Sequence, residues 1–235
     1  MIPADMSYIV YVLIVVLASI GAGVLAGNGA VYAFNRLPAR WLCDYGQEPS
    51  PELLSRDTQR VKSWPWKYVF TATFIIIGIY MAMMNWQYAA PAFIACWLLL
   101  LIAIADRKYM IVPDQLVLLL AVTGIGFIPF RGSYLTLVWG ALLGAAAMLA
   151  VVLLGRLIWK KSVMGFGDVK LSAALGLAAG YRGIAVILIT AAFASGAVLA
   201  VMLIRRKIKM TDSVPLGPYI CAAGAAYLIV LHQFF

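Results

Sequence analysis

Two of the nine acidic residues in this 235-residue chain stand where a carboxyl group could do chemistry. Asp168 lies in Met164-Gly165-Phe166-Gly167-Asp168-Val169-Lys170, and Asp106 in Ile104-Ala105-Asp106-Arg107-Lys108. An acidic side chain beside apolar helix carries a desolvation cost, so in a membrane protein it is a functional candidate by default. Gly165 and Gly167 allow positive φ and a close backbone approach, which predicts a turn that delivers the Asp168 carboxyl to the mouth of a helix bundle. Asp106 ends a helix, where the macrodipole opposes a negative charge, so capping does not account for it. Each has a plainer alternative: an ion pair of Asp106 with Arg107 or Lys108, and an N-cap role for Asp168. Two carboxyl groups on facing helix ends would share one proton, so that one activates a water while the other donates to a peptide carbonyl. The two would titrate as a pair.

The other acids are assigned elsewhere. Asp114 after Pro113 reads as a helix-start residue that positions the turn leaving Asp106. Asp44, Glu48, Glu52 and Asp57 belong to a wet loop, and Asp5 and Asp212 to solvated flanks.

The elements that must hold these groups are apolar helices. The chain is 65% hydrophobic and 11% charged, with a mean hydropathy of +0.97, whereas soluble domains carry about 25% charge. The fold class predicted is therefore an all-α polytopic membrane protein of about eight transmembrane helices. Their spans are Tyr8 to Phe34, Trp66 to Asn85, Tyr88 to Ala105, Asp114 to Phe130, Tyr134 to Trp159, Asp168 to Ala179, Tyr181 to Ile204, and Val214 to Phe235. The sixth, at about 18 Å, is too short to cross alone. Segments of small residues at intervals of four predict close helix approach: Gly23 and Gly27, Gly140 and Gly144, and Ser172, Gly176 and Gly180.

Orientation follows from Lys and Arg, which collect in cytoplasmic loops. With the N-terminus outside, sixteen of the eighteen basic residues fall inside, leaving only Arg131 and Arg182 outside. The formal charge of +9 is thereby assigned to orientation in the bilayer and not to nucleic acid. Met1 to Tyr8 carries Asp5 and no basic residue, so no signal peptide is expected. Cys43, Cys96 and Cys221 are far apart and form no CxxC pair, which predicts no zinc site and no disulfide framework. The lone His232 argues against Ser-His-Asp and HExxH chemistry. Asn35 to Lys67, with four prolines and mixed charge, reads as a small cytoplasmic loop subdomain with a short amphipathic helix around Pro51 to Val61.

Three segments resemble motifs of the type IV prepilin peptidases. Asp106 followed by Ile111-Val112-Pro113-Asp114 is similar to the family's D-x6-PD element, Met164 to Lys170 to its GxGD element, and Val214-Pro215-Leu216-Gly217-Pro218-Tyr219 to the PFGP motif opening its last helix. The resemblance implies an intramembrane aspartic endopeptidase with Asp106 and Asp168 as catalytic residues. Gly165, Gly167, Pro113, Asp114, Lys170, Pro215, Gly217 and Pro218 would support them. It also implies a type IV prepilin or pseudopilin precursor with a basic leader as partner, cut at the cytoplasmic face of a prokaryotic inner membrane, with no cofactor for proteolysis. The loop acids Asp44, Glu48, Glu52 and Asp57 are candidates for holding that leader.

Many bacterial members also methylate the new N-terminus with S-adenosylmethionine, using an N-terminal domain with two CxxC pairs. Gly27, Arg36, Leu37 and Pro38 match part of that family's GSFLNVVIYRLP stretch, but only Cys43 remains in the loop. The division expected is a reduced methyltransferase-like region over 1–67 and a peptidase core over 68–235, with methyl transfer open and zinc not expected. A proton-coupled transporter using the same carboxylates is the alternative, but it predicts inverted repeats and a midplane site. The presenilin-like GxGD enzymes would need Tyr-Asp and PAL motifs, which the sequence lacks.

Overall fold

The computed structural model describes residues 4–43, 48–49, 51–54, 59–159, 165–207 and 214–234. Among these every regular element is helical. In chain order they are α1 (Ala4–Arg36), a 3-10 turn (Ala39–Leu42), α2 (Pro51–Leu54) and α3 (Ser63–Tyr109). Then come α4 (Asp114–Gly124) with its 3-10 extension (Ile125–Phe130), α5 (Tyr134–Trp159), α6 (Phe166–Ile204), α7 (Gly217–Ile229) and a last 3-10 turn (Leu231–Gln233). Four of them, α1, α3, α5 and α6, are long and apolar enough to cross a membrane, and α4 with its extension and α7 are shorter apolar helices. The chain is a multi-pass membrane protein. Large apolar side chains such as Leu25, Ile76, Leu157 and Phe193 cover its outside, as a lipid-facing surface requires.

At 47 residues, α3 would run about 70 Å if straight, more than twice the thickness of a bilayer core. It breaks at Asn85, whose backbone is extended (φ −158°, ψ 103°). Its Oδ1 accepts from the amides of Gln87 (3.1 Å) and Tyr88 (3.3 Å), starting a second leg by side-chain capping. Phe74 and Phe93, on opposite sides of the break, meet with ring centroids 5.1 Å apart, so the two legs fold back on one another. α6 does the same at Gly180, whose φ of 73° is one only glycine takes without strain. A Cβ added at Gly144 of α5 would touch both the Ser172 carbonyl carbon (2.9 Å) and Ile184 Cγ1 (3.0 Å). Those residues would be about 18 Å apart along a straight helix. Both breaks fall where the sequence reading ends one helix and starts the next.

The glycine spacing has the packing role expected of it. A Cβ at Gly140 would come within 2.6 Å of the Gly180 carbonyl carbon, and one at Gly176 within 2.6 Å of the Ala141 amide nitrogen, so the α5 and α6 backbones nearly touch. Gly23 and Gly27 of α1 bring that helix against Ile75 and Thr71 of α3 in the same way.

Several boundaries differ from expectation: α1 runs Ala4–Arg36 rather than Tyr8 to Phe34, and α3 starts at Ser63 rather than Trp66 and ends at Tyr109 rather than Ala105. The last helix starts at Gly217 rather than Val214 and stops at Ile229, where the chain tightens into the 3-10 turn. The helix expected to begin at Asp168 begins at Phe166. The loop helix covers Pro51–Leu54, and 55–58 lie outside the described residues.

The segment after α1 is tied to the bundle by side chains acting on main chain. Asn35 Nδ2 donates to the Val61 carbonyl (3.0 Å) and its Oδ1 accepts from the Val61 amide (2.8 Å). Arg60 donates to the carbonyls of Leu37 and Leu53 (2.5 and 3.0 Å). Leu42, Leu53 and Val61 are buried in the same apolar core as the helices.

Candidate active site

Asp106 lies in the last turn of α3 and Asp168 in the first turn of α6, and only 6% and 8% of their surfaces are exposed. They are close enough for their charges to act on one another, and both act on the thiol of Cys221 in α7. Asp106 Oδ2 and Asp168 Oδ1 have no hydrogen-bond partner, and neither residue enters a salt bridge among the described residues. Burial of two like charges without a counter-ion is costly and contributes nothing to stability by itself.

Neither plainer alternative fits. Lys108 Nζ donates to the Arg60 carbonyl and Arg107 is exposed, so no basic neighbour neutralises Asp106. The N-cap of α6 is Gly165; Asp168 is the third helical residue, and no side chain caps this end. The glycines also act differently from the expectation of positive φ. Gly165 has an extended φ of −77° and Gly167 is helical, so Asp168 is presented by a helix and not by a turn. Close approach is what Gly167 supplies, since a Cβ there would lie 2.8 Å from Val112 Cβ. Met164 lies outside the described residues.

Helix direction offsets part of the cost. Asp168 sits at the positive end of its own helix, and α7 starts against Asp106, with the Gly217 amide directed at its carboxylate. A Cβ at Gly217 would come 2.6 Å from Asp106 Oδ2 and 2.9 Å from Cγ, so this position admits no side chain without moving the aspartate. Pro218 is the second residue of α7, where a missing N–H costs nothing, and Pro215 lies in the half-buried approach to it.

Between the two acids runs a short connection. Met110 closes α3 in the left-handed conformation (φ 54°), and its amide donates to the Asp106 carbonyl at 2.9 Å. Pro113 is the extended N-cap of α4. Asp114 is the first residue of α4, and both its oxygens accept from Lys170 Nζ, at 2.9 and 2.8 Å.

Three of the four residues matched to the methyl-transfer stretch have visible structural roles. Gly27 packs on Thr71, the Arg36 guanidinium lies 4.9 Å from the Tyr32 ring centroid, and Pro38 starts the 3-10 turn. Nine residues of α1 put Gly27 and Arg36 about 13 Å apart. Of the loop acids, Glu48 is exposed, Asp44 and Asp57 lie outside the described residues, as does Asp212, and Glu52 falls in α2. Among the described residues no three His, Cys, Asp or Glu side chains gather as a metal would need.

Sequence reasoning gave no place near the acids to Cys221, or to Ser172, which it read only as a close-approach residue and whose fully buried hydroxyl has no partner among the described residues one turn beyond Asp168. The available signal was spacing, since Cys221 follows Gly217, and Ser172 follows Asp168, by four residues.

The structure is thus that of a multi-pass helical protein that buries two aspartates, Asp106 and Asp168, at helix ends. In comparison with known proteins, the model of the type IV leader peptidase family matches residues 92–201. The prepilin leader peptidase/N-methyltransferase of Stutzerimonas stutzeri is 32% identical over 148 residues, 62% of this chain and 50% of that protein. The protein of the same name from Pseudomonas aeruginosa is 32% identical over 144 residues, 60% of this chain and 49% of the relative. Leader peptidase HopD of Escherichia coli is 31% identical over 133 residues, 55% of this chain and 85% of HopD. The chain belongs to the type IV leader peptidase family. It spans about half the length of the first two relatives. No solved structure matches it.

Proposed function

We propose that the chain is an intramembrane aspartic endopeptidase that removes the leader of type IV prepilins or pseudopilins, with Asp106 and Asp168 as its catalytic pair. The observation that carries this is that two carboxyl groups on separate helices are both buried and near enough for their charges to interact, with no salt bridge to either among the described residues. One acts as base toward a water, whose oxygen attacks the scissile carbonyl carbon. The other, as the neutral acid, donates its proton to the carbonyl oxygen. Collapse of the tetrahedral intermediate breaks the C–N bond, and the departing amine takes up a proton from the pair. The positive ends of α6 and α7 favour whichever aspartate is charged at each stage.

In this reading the hairpin legs of α3 and α6, with α1, α4, α5 and α7, make eight crossings with the N-terminus outside. The pair then lies at the cytoplasmic face of a prokaryotic inner membrane, where the leader of its substrate would be. Residues 68–235 form the peptidase core, and 1–67 a reduced remnant of the methyltransferase region. The loop acids, Glu48 among them, would meet the basic leader; reversing their charges should raise KM and leave kcat unchanged.

The test is co-expression with a type IV prepilin precursor, scoring leader removal by mass. Wild type should release the mature pilin, and Asp106→Asn and Asp168→Asn should leave the precursor intact. Cleavage by either variant would defeat the assignment. The mass of the mature N-terminus reports methylation separately.

A further inference from the structure

Both flanks of Asp168 rest on one short piece of chain, residues 112–114. On one side Gly167 packs against Val112 so closely that a Cβ there would come 2.8 Å from Val112 Cβ. On the other, Lys170 Nζ sits 2.9 and 2.8 Å from the two oxygens of Asp114. The same piece of chain is fixed at its near end to Asp106, because the Met110 amide closes onto the Asp106 carbonyl at 2.9 Å. Asp106 and Asp168 are 62 positions apart in sequence. This connection is therefore a short gauge between them, main chain from Asp106 through Met110 and Val112 to Asp114 and then a side-chain pair across to Lys170 on the first turns of the helix that carries Asp168.

We propose that Asp114 and Lys170 are positioning residues, whose ion pair sets the rotation of the first turn of α6 and so the spacing of the two catalytic carboxyl groups. The proposal rests on Asp106 and Asp168 being the reacting pair. Lys170 follows Asp168 by two residues, about 200° around the helix, so it points away from the dyad and contributes no group to it. A cation on that side can hold the turn from behind without neutralising the carboxylates it positions. The pair is partly exposed, with side-chain exposures of 48% and 30%, a setting in which ion pairs contribute little to folding. Its effect should therefore appear in turnover and not in melting temperature. A misplacement of about 1 Å at a reacting centre can cost about a hundredfold in rate.

The experiment uses the full chain in detergent or nanodiscs with a purified prepilin, measuring kcat, KM and thermal stability. The variants are Asp114→Asn, Lys170→Met, and the exchange Asp114→Lys with Lys170→Asp. Each single variant should lower kcat by about 10- to 100-fold with KM and melting temperature near wild type. The exchange should recover at least tenfold of that loss. Raised ionic strength should lower wild-type kcat and leave the single variants unaffected. Raised KM with unchanged kcat would make Lys170 a substrate contact and overturn the proposal, as would failure of the exchange to recover turnover in a protein that melts normally. Asp106→Asn and Asp168→Asn are run alongside. If they stay active, the catalytic assignment has failed; if they are dead while the Asp114 and Lys170 variants cleave like wild type, only the positioning role has failed.

Discussion

The two ends of α7 hold buried polar groups of different kinds. At its C-terminal end, Arg131 donates to the Tyr227 hydroxyl (3.1 Å) and lies against its ring, Tyr88 donates to the Leu228 carbonyl (3.2 Å), and His232 stacks on Tyr88 at 4.1 Å. Rings, hydroxyls and a carbonyl are partnered there, although Arg131 Nε and Nη2 and His232 Nδ1 have no hydrogen-bond partner among the described residues. At its N-terminal end two carboxyl groups of the same sign meet, each with an oxygen that has no partner, against a glycine that leaves no room for anything else. The first arrangement stabilises a fold. The second costs stability, and the proposed catalytic role would account for it.

Substitutions that separate the two ends should behave as opposites. The largest effect is expected at the aspartates: Asp106→Asn or Asp168→Asn should lower cleavage by at least about a thousandfold. Melting temperature should stay level or rise, because one of two buried like charges is gone. Next is Gly217→Val, which drives Cβ into Asp106 and should cost about a hundredfold in kcat, again with little change in melting.

Gly180→Ala tests the scaffold. Its positive φ and its contact with Thr136 predict a loss of about 1–2 kcal/mol, with activity falling only in proportion to folded protein.

The smallest effects belong to the C-terminal end. Tyr227→Phe should cost about 1 kcal/mol and leave kcat unchanged. Burial, with the Arg131 charge adding to it, lowers the pKa of His232 from 6.5. The folded state then binds fewer protons than the unfolded one just below that value, so stability should fall as pH drops through this range. His232→Phe should flatten that slope in a melting series.

Much of this was legible in the sequence. Asp106 and Asp168 stood out because a charge beside apolar helix is rare, and the glycine spacing of α5 and α6 announced the seam that the structure contains. The break at Gly180 was visible as the end of a helix too short to cross alone. What stayed hidden depends on rotation about helix axes and on distant partners. The pairing of Lys170 with Asp114 spans 56 positions, and the closeness of Cys221 to both acids needs the entry angle of α7. Gly165 and Gly167 show the limit of local reasoning: glycine permits positive φ, yet tertiary packing on Val112 is what uses Gly167.

The account stands on Asp106 and Asp168 acting as one unit, and a double-mutant cycle on cleavage rate tests that directly. With purified protein and a prepilin substrate, Asp106→Asn, Asp168→Asn and the double variant should all fall to the same residual rate, because removing either member disables the pair. Losses that multiply in the double variant, or a single variant within tenfold of wild type, would contradict it.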